Sequence, residues 1–127
     1  MNITIRPIME EDYDNVVSAS ADEGWTTYSA RRRDFIKALG KSLFLVAYDG
    51  NAFVGYARAI SDGHITTYLC ELLVVKAYRR RGVGGMLVER VRETFPKTRV
   101  DLISEADGFY EKTGFRAIGT GFRKSGG

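Results

Sequence analysis

Apolar positions along this chain switch between two periods, and each switch marks an element. Ile3 and Ile5 alternate with Thr4 and Arg6, and the run stops at Pro7, which predicts a strand. From Asp12 to Ser20 the spacing becomes helical, with Tyr13, Val16 and Val17 inward and acids in the first turn, where they suit the helix dipole. Asp22-Glu23-Gly24-Trp25 breaks that pattern as a loop. A second helix is predicted over 29–39, capped by Ser29 and closed by Gly40, with Phe35, Ile36 and Leu39 as its apolar side and Arg31, Arg32 and Lys37 solvated. Residues 43–48 predict a strand, Asp49-Gly50 a tight turn, and 53–60 the partner strand. Ser61-Asp62-Gly63 turns the chain again, into a long strand over 64–75. Two successive tight turns imply three consecutive antiparallel strands.

After Gly82 the period changes once more. Val83, Met86, Leu87, Val91 and Phe95 share one helical face, while Glu89, Arg90, Arg92 and Glu93 point away, and Pro96 ends the helix. Residues 99–104 form a further strand around Val100, Leu102 and Ile103. A helix separates it from the strand before, so the two run parallel. A short helix over 108–113 ends at Gly114, and Phe115 opens a last strand pair broken near Gly119. The sum is a single α+β domain over 1–127 with a mixed, mostly antiparallel sheet and about four helices.

Composition narrows the function. Of 127 residues, 44% are hydrophobic and 28% charged, the balance of an ordinary globular domain. The net charge of +3 is mild, which argues against a dedicated nucleic-acid binder. One cysteine, Cys70, excludes an internal disulfide, and with one histidine, His64, it leaves no zinc-ligand set. No leader or membrane-spanning run is visible, so the expectation is a cytoplasmic protein without a membrane partner.

The chemistry concentrates in Arg79-Arg80-Arg81-Gly82-Val83-Gly84-Gly85, where a buried strand feeds a helix. The first amides of a helix lack internal partners and carry the positive end of its dipole. Glycines let a ligand approach the backbone, and the arginines add charge. Such a place binds a phosphate or pyrophosphate. It is not a P-loop, because Met86 follows Gly85, and not a dinucleotide fingerprint, because Leu87 stands where the third glycine belongs. Arg79-x-x-Gly82-x-Gly84 does fit R/Q-x-x-G-x-G/A, and so resembles the coenzyme A pyrophosphate loop of the GNAT superfamily of N-acetyltransferases. Phe109-Tyr110 followed by Gly114-Phe115 is similar to a second segment of that superfamily, and the resemblance covers nearly the whole chain.

The resemblance implies a GNAT-like α/β/α sandwich whose sheet splays between the fourth and fifth strands, with acetyl-CoA in the wedge. It implies acetyl transfer from acetyl-CoA to a primary amine, by direct attack through a tetrahedral intermediate and without a metal. The pantetheine is expected to pair with backbone at Leu73, Val74 and Val75, one of whose amides polarises the thioester. The pyrophosphate is expected on amides of Arg81, Gly82, Val83, Gly84 and Gly85, with Arg79 or Arg80 lending charge. Glu71, an acid in an apolar strand, is the candidate base, its pKa expected to rise with burial; Tyr110 is the candidate acid for the leaving thiolate. Trp25, Tyr28 and Glu23 are candidate acceptor-binding residues, since aromatics with acids suit a cationic amine. The acceptor is expected to be a small amine or amino-acid-like metabolite. Rival readings are a non-catalytic CoA-binding module, a protein N-acetyltransferase, and a basic nucleic-acid or protein-interaction domain.

Three departures from the family pattern stand out: Arg80 where glycine is common, Lys76 where proline is common, and no asparagine in Ser104-Glu105-Ala106-Asp107. The short ending after Phe115 leaves the last sheet edge open to completion by a second subunit, as a homodimer.

Overall fold

A computed structural model of the chain describes residues 1–126. Five strands form one sheet in sequence order: β1 Ile3–Pro7, β2 Leu43–Asp49, β3 Ala52–Ser61, β4 Thr66–Val74 and β5 Arg99–Asp101. The first four pair antiparallel, and β5 lies parallel to β4. The α-helices are α1 Tyr13–Asp22, α2 Thr27–Ala30, α3 Arg32–Leu39, α4 Val83–Thr94 and α5 Asp107–Lys112.

The sheet is covered on both faces. Leu45, Ala47, Ala57, Ala59 and Leu69 pack with Val83, Leu87, Val88 and Val91 of α4. Phe44, Val46, Tyr56 and Leu73 pack on the other face with Val16 of α1 and Phe35 of α3. Alternate residues of β2 therefore serve opposite layers, which is why Phe44, Leu45, Val46 and Ala47 are all buried. Asp12, fully buried, joins the first strand to α1: it accepts from Arg6 at 2.7 and 3.0 Å, from Tyr48 Oη at 2.6 Å and from the Met9 N–H at 2.7 Å.

Four expectations are corrected. The helix over 29–39 is two helices, because Arg31 leaves helical geometry at φ −131, ψ 53; the break lets Tyr28 turn inward against Phe35, at 4.7 Å between ring centroids. The long strand starts at Thr66 instead of 64, because the Asp62 carboxylate accepts from the N–H groups of His64, Ile65 and Thr66 and holds them in a turn. The fifth strand stops at Asp101 instead of 104. The strand pair after Phe115 is not formed among the described residues. That stretch carries Gly119, Gly121 and Gly126, which weaken a strand, and lies exposed from 116 onward.

Candidate active site

Glu71 reaches the site through an irregularity. Ala59 pairs with Leu69, but Arg58 pairs with Glu71, so Cys70 is an extra residue in β4. A bulge reverses the alternation of faces. Leu69 thus packs under α4 while Glu71 and Leu73 turn to the layer of α1, α2 and α3. There Glu71 Oε2 accepts from Arg58 Nε at 2.9 Å, and Oε1 accepts from the Tyr28 hydroxyl. Arg58 Nη1 donates to Ser42 Oγ at 3.3 Å. Burial, then the negative charge of Glu71, pushes the Tyr28 phenol far up, so it keeps its proton and acts as a donor. The Cys70 thiol is also pushed up by burial, the opposite of an activated nucleophile.

The sheet opens beside this cluster. β5 pairs with β4 only at Thr66, Thr67 and Tyr68, so β4 from 69 to 74 has no strand on that side among the described residues. The Val75 N–H donates to the Val54 carbonyl at 2.9 Å, and the Val75 carbonyl accepts from the Tyr78 N–H at 2.9 Å. Both backbone groups of Val75 are thus engaged within the protein. By alternation, the Leu73 backbone faces β3, and the Val74 backbone faces the opening. The Val74 carbonyl there accepts from Arg79 Nε at 2.9 Å. The same guanidinium pairs with Glu23, at the end of α1.

The glycine loop lies at the end of that opening. After a 3-10 turn at Lys76–Tyr78, Arg80 has φ 64 and Gly82 φ 86, both left-handed, and α4 begins. Arg80 is the one non-glycine residue with a positive φ among the described residues, at a loop position that glycine would occupy without strain. The first bond of α4 runs from the Met86 N–H to the Gly82 carbonyl at 3.1 Å. Among the described residues, no protein group accepts from the N–H groups of Arg81, Gly82, Val83, Gly84 or Gly85, although Val83 and Gly84 are buried. Orphaned donors at a buried helix start fit a diphosphate. Around Gly85 there is open space where a Cβ would stand, whereas a Cβ on Gly84 would lie 3.1 Å from the Phe109 ring. Arg81 stacks over Tyr78 at 5.1 Å, and Arg80 has no charged partner among the described residues.

The other predicted residues separate. Tyr110 packs edge-on against Phe109 and Phe115, at 4.9 and 5.5 Å, with a phenol pushed up by burial and then by the charge of Glu105. It borders a cavity of about 1110 Å³ along the far edge of β5, where the missing strand pair was expected; none of the other predicted site residues lines that cavity. Trp25 packs in the aromatic layer with Phe35 and Phe44. Among the described residues, no group of three or more His, Cys, Asp or Glu side chains could hold a metal, and no helix is long and apolar enough to cross a membrane. Sequence reasoning missed Arg58. Its signal was a lone base in the apolar run Phe53-Val54-Gly55-Tyr56-Ala57-Arg58-Ala59-Ile60.

Comparison with known proteins follows the same lines. A family model described as the acetyltransferase (GNAT) domain matches residues 10–126. The chain is 30% identical over 92 residues to a Bacillus subtilis (strain 168) protein named provisionally as an acetyltransferase; the match covers 68% of this chain and 62% of that protein, so the chain spans less than two thirds of that relative. A GNAT-family acetyltransferase from Streptococcus pneumoniae TIGR4 is similar in structure, with TM-score 0.78, 27% identity and 97% of each chain covered. The PaiA N-acetyltransferase of Thermoplasma acidophilum, solved in complex with coenzyme A, shares the fold at TM-score 0.77 and 19% identity, over 95% of this chain and 94% of that one.

Proposed function

Because the chain belongs to the GNAT acetyltransferase family, we propose that it transfers an acetyl group from acetyl-CoA to a primary amine of a small acceptor molecule. The observation that carries this reading is the row of unpartnered N–H groups at 81–85, at the end of the opening beside β4. Acetyl-CoA supplies the acyl group as a thioester. The amides of 81–85 hold its diphosphate, with the guanidinium of Arg80 beside them. Arg79, now on the Val74 carbonyl and Glu23, is within the same loop and can exchange toward the phosphates. Val74 offers its N–H to the thioester carbonyl, a single donor worth about 3–4 kcal/mol in comparable acyl transfers.

The amine reaches neutral pH mostly protonated. Glu71, beside Arg58, draws the ammonium in and takes its proton through water, and the freed amine nitrogen then attacks the thioester carbon. Tyr110 protonates the departing thiolate; its raised pKa makes it a weak acid, so the role depends on close placement. A second reading, a CoA-binding module without catalysis, draws support from the engagement of Glu71 by both Arg58 and Tyr28. A thiol-release assay with acetyl-CoA and a panel of amines decides between them. Amine-dependent release is expected; CoA binding with no release for any amine rejects catalysis.

A further inference from the structure

The charges around Glu71 say which kind of amine the site is shaped for. We propose that the acceptor is an amine that also carries a carboxylate, an amino-acid-like zwitterion, with its ammonium toward Glu71 and its carboxylate on Nη2 of Arg58. This rests on the acetyl-transfer reading and narrows its acceptor.

The first observation is charge balance. Two acids on the acceptor side are already answered by an arginine, Glu71 by Arg58 at 2.9 Å and Glu23 by Arg79, while the exposed Asp22 has no ion pair among the described residues. A polycationic acceptor would find no unpaired carboxylate among Glu71 and Glu23, and it would meet two guanidinium groups. The sequence pattern offers Trp25 and Tyr28, with Asp22 and Glu23, as a seat for a bare cation; the pairing with Arg79 removes Glu23 from it.

The second observation is the one unpartnered nitrogen of Arg58. Its Nε holds Glu71, and its Nη1 makes one long bond, to Ser42 Oγ at 3.3 Å. Among the described residues, nothing accepts from Nη2. No fully buried side-chain nitrogen or oxygen lacks a partner among those residues, so Nη2 is not sealed from solvent. One nitrogen of the guanidinium, Nη2, is thus left to donate a charge-assisted hydrogen bond to a carboxylate oxygen. Arg58 and Glu71 are only 21% and 19% exposed, which limits screening by salt.

The third observation is rigidity. Arg58 stands on β3, within the sheet, paired in register with Glu71 on β4. Tyr28 closes the other side of Glu71, and its ring lies tilted against Phe35 and Phe44 at 4.7 and 6.4 Å between centroids. Positive and negative ends are thus fixed side by side, in the arrangement complementary to a zwitterion whose own charges are a few bonds apart.

The test uses the full chain saturated with CoA. It is titrated calorimetrically with N-acetyl-amino acids and the matching N-acetyl-amino-acid amides. At least one acid should bind about 10–100-fold more tightly than its amide, the range of a charge-assisted hydrogen bond. Arg58→Gln should bring the two within about twofold, and Arg58→Lys should restore part of the difference. Equal binding of acid and amide, or an equal loss of both in Arg58→Gln, overturns the inference. Thiol release is then compared for amino acids, their amides and a polyamine, with KM and kcat separated. Release as fast with amides or the polyamine as with amino acids sinks the zwitterion inference and leaves acetyl transfer standing. Arg58-dependent carboxylate binding with no thiol release from any amine leaves the carboxylate seat standing and rejects acetyl transfer.

Discussion

A carboxylate on a half-buried strand is costly unless another group answers its charge. At Glu71 the answer is Arg58 at 2.9 Å, with Tyr28 on the other oxygen. Glu71→Gln should lower kcat by about 10²-fold or more, the usual scale for a lost acid–base group, while CoA still binds. Tyr110→Phe should also slow turnover, by less, since its phenol is a weak acid in that surrounding. Unchanged kcat in both variants would remove those two roles. Asp62 makes a sharper pH prediction. The N–H groups of Ile65, His64 and Thr66 hold its carboxyl down at about 2. Its folded pKa lies below its unfolded one, so its contribution is complete above the unfolded value, near ~4. The contribution is lost as pH falls toward about 2. Asp62→Ala should therefore lower Tm at pH 6, and the gap to the parent should close on acidification to pH 2. A gap that stays constant with pH would show that the turn does not depend on the ionised form.

At the scale of elements, the strand–loop–helix unit from β4 to α4 carries most of the proposed chemistry. Its loop contains two left-handed residues, and only Gly82 is adapted to that geometry; Arg80 at φ 64 is not. Arg80→Gly should relieve strain of about 1 kcal/mol, partly offset by the greater freedom of glycine in the unfolded chain. A small rise in Tm is expected together with weaker CoA binding, since a charge near the diphosphate is lost; tighter CoA binding would contradict its place in the loop. Gly84 is constrained from outside: its neighbour is the Phe109 ring of α5. Gly84→Asp should weaken CoA binding by about tenfold or more, an energy of roughly 1.4 kcal/mol. Gly84→Ala, which adds the steric contact without the charge, should weaken it less. Equal Kd values for Gly84→Asp and the parent, by calorimetry, would argue that the diphosphate lies elsewhere.

For the whole molecule, the open question in the fold is the far edge of β5. That strand has three residues, its outer side is bordered by a cavity, and Ile118 and Phe122 are 66% and 91% exposed. The homodimer expectation has a second subunit complete this edge. Removing residues 117–127 separates the cases. In a monomer the deletion should change Tm by no more than about 2 °C, because exposed surface contributes little. If a partner covers the edge, Tm should depend on protein concentration before the deletion and lose that dependence after it. Sedimentation of the parent chain at several concentrations reads the same point directly.

The sequence by itself determined the three consecutive antiparallel strands, the parallel sense of the strand after the helix, the helix after the glycines and the family, while the place of β1 beside β2 came from the fold. Each of these depends on local periodicity or on residues a few positions apart, such as Asp49-Gly50 and Arg79-x-x-Gly82-x-Gly84. Tertiary structure alone decided which way Glu71 faces. The extra residue at Cys70 reverses the side-chain alternation, and nothing in the composition of β4 announces a register shift that only pairing with β3 reveals. The same holds for the union of Glu71 with Arg58 and Tyr28, three residues from separate elements. It holds also for the coil after Phe115, where strand formation depends on a neighbour for β5 that local pattern cannot supply.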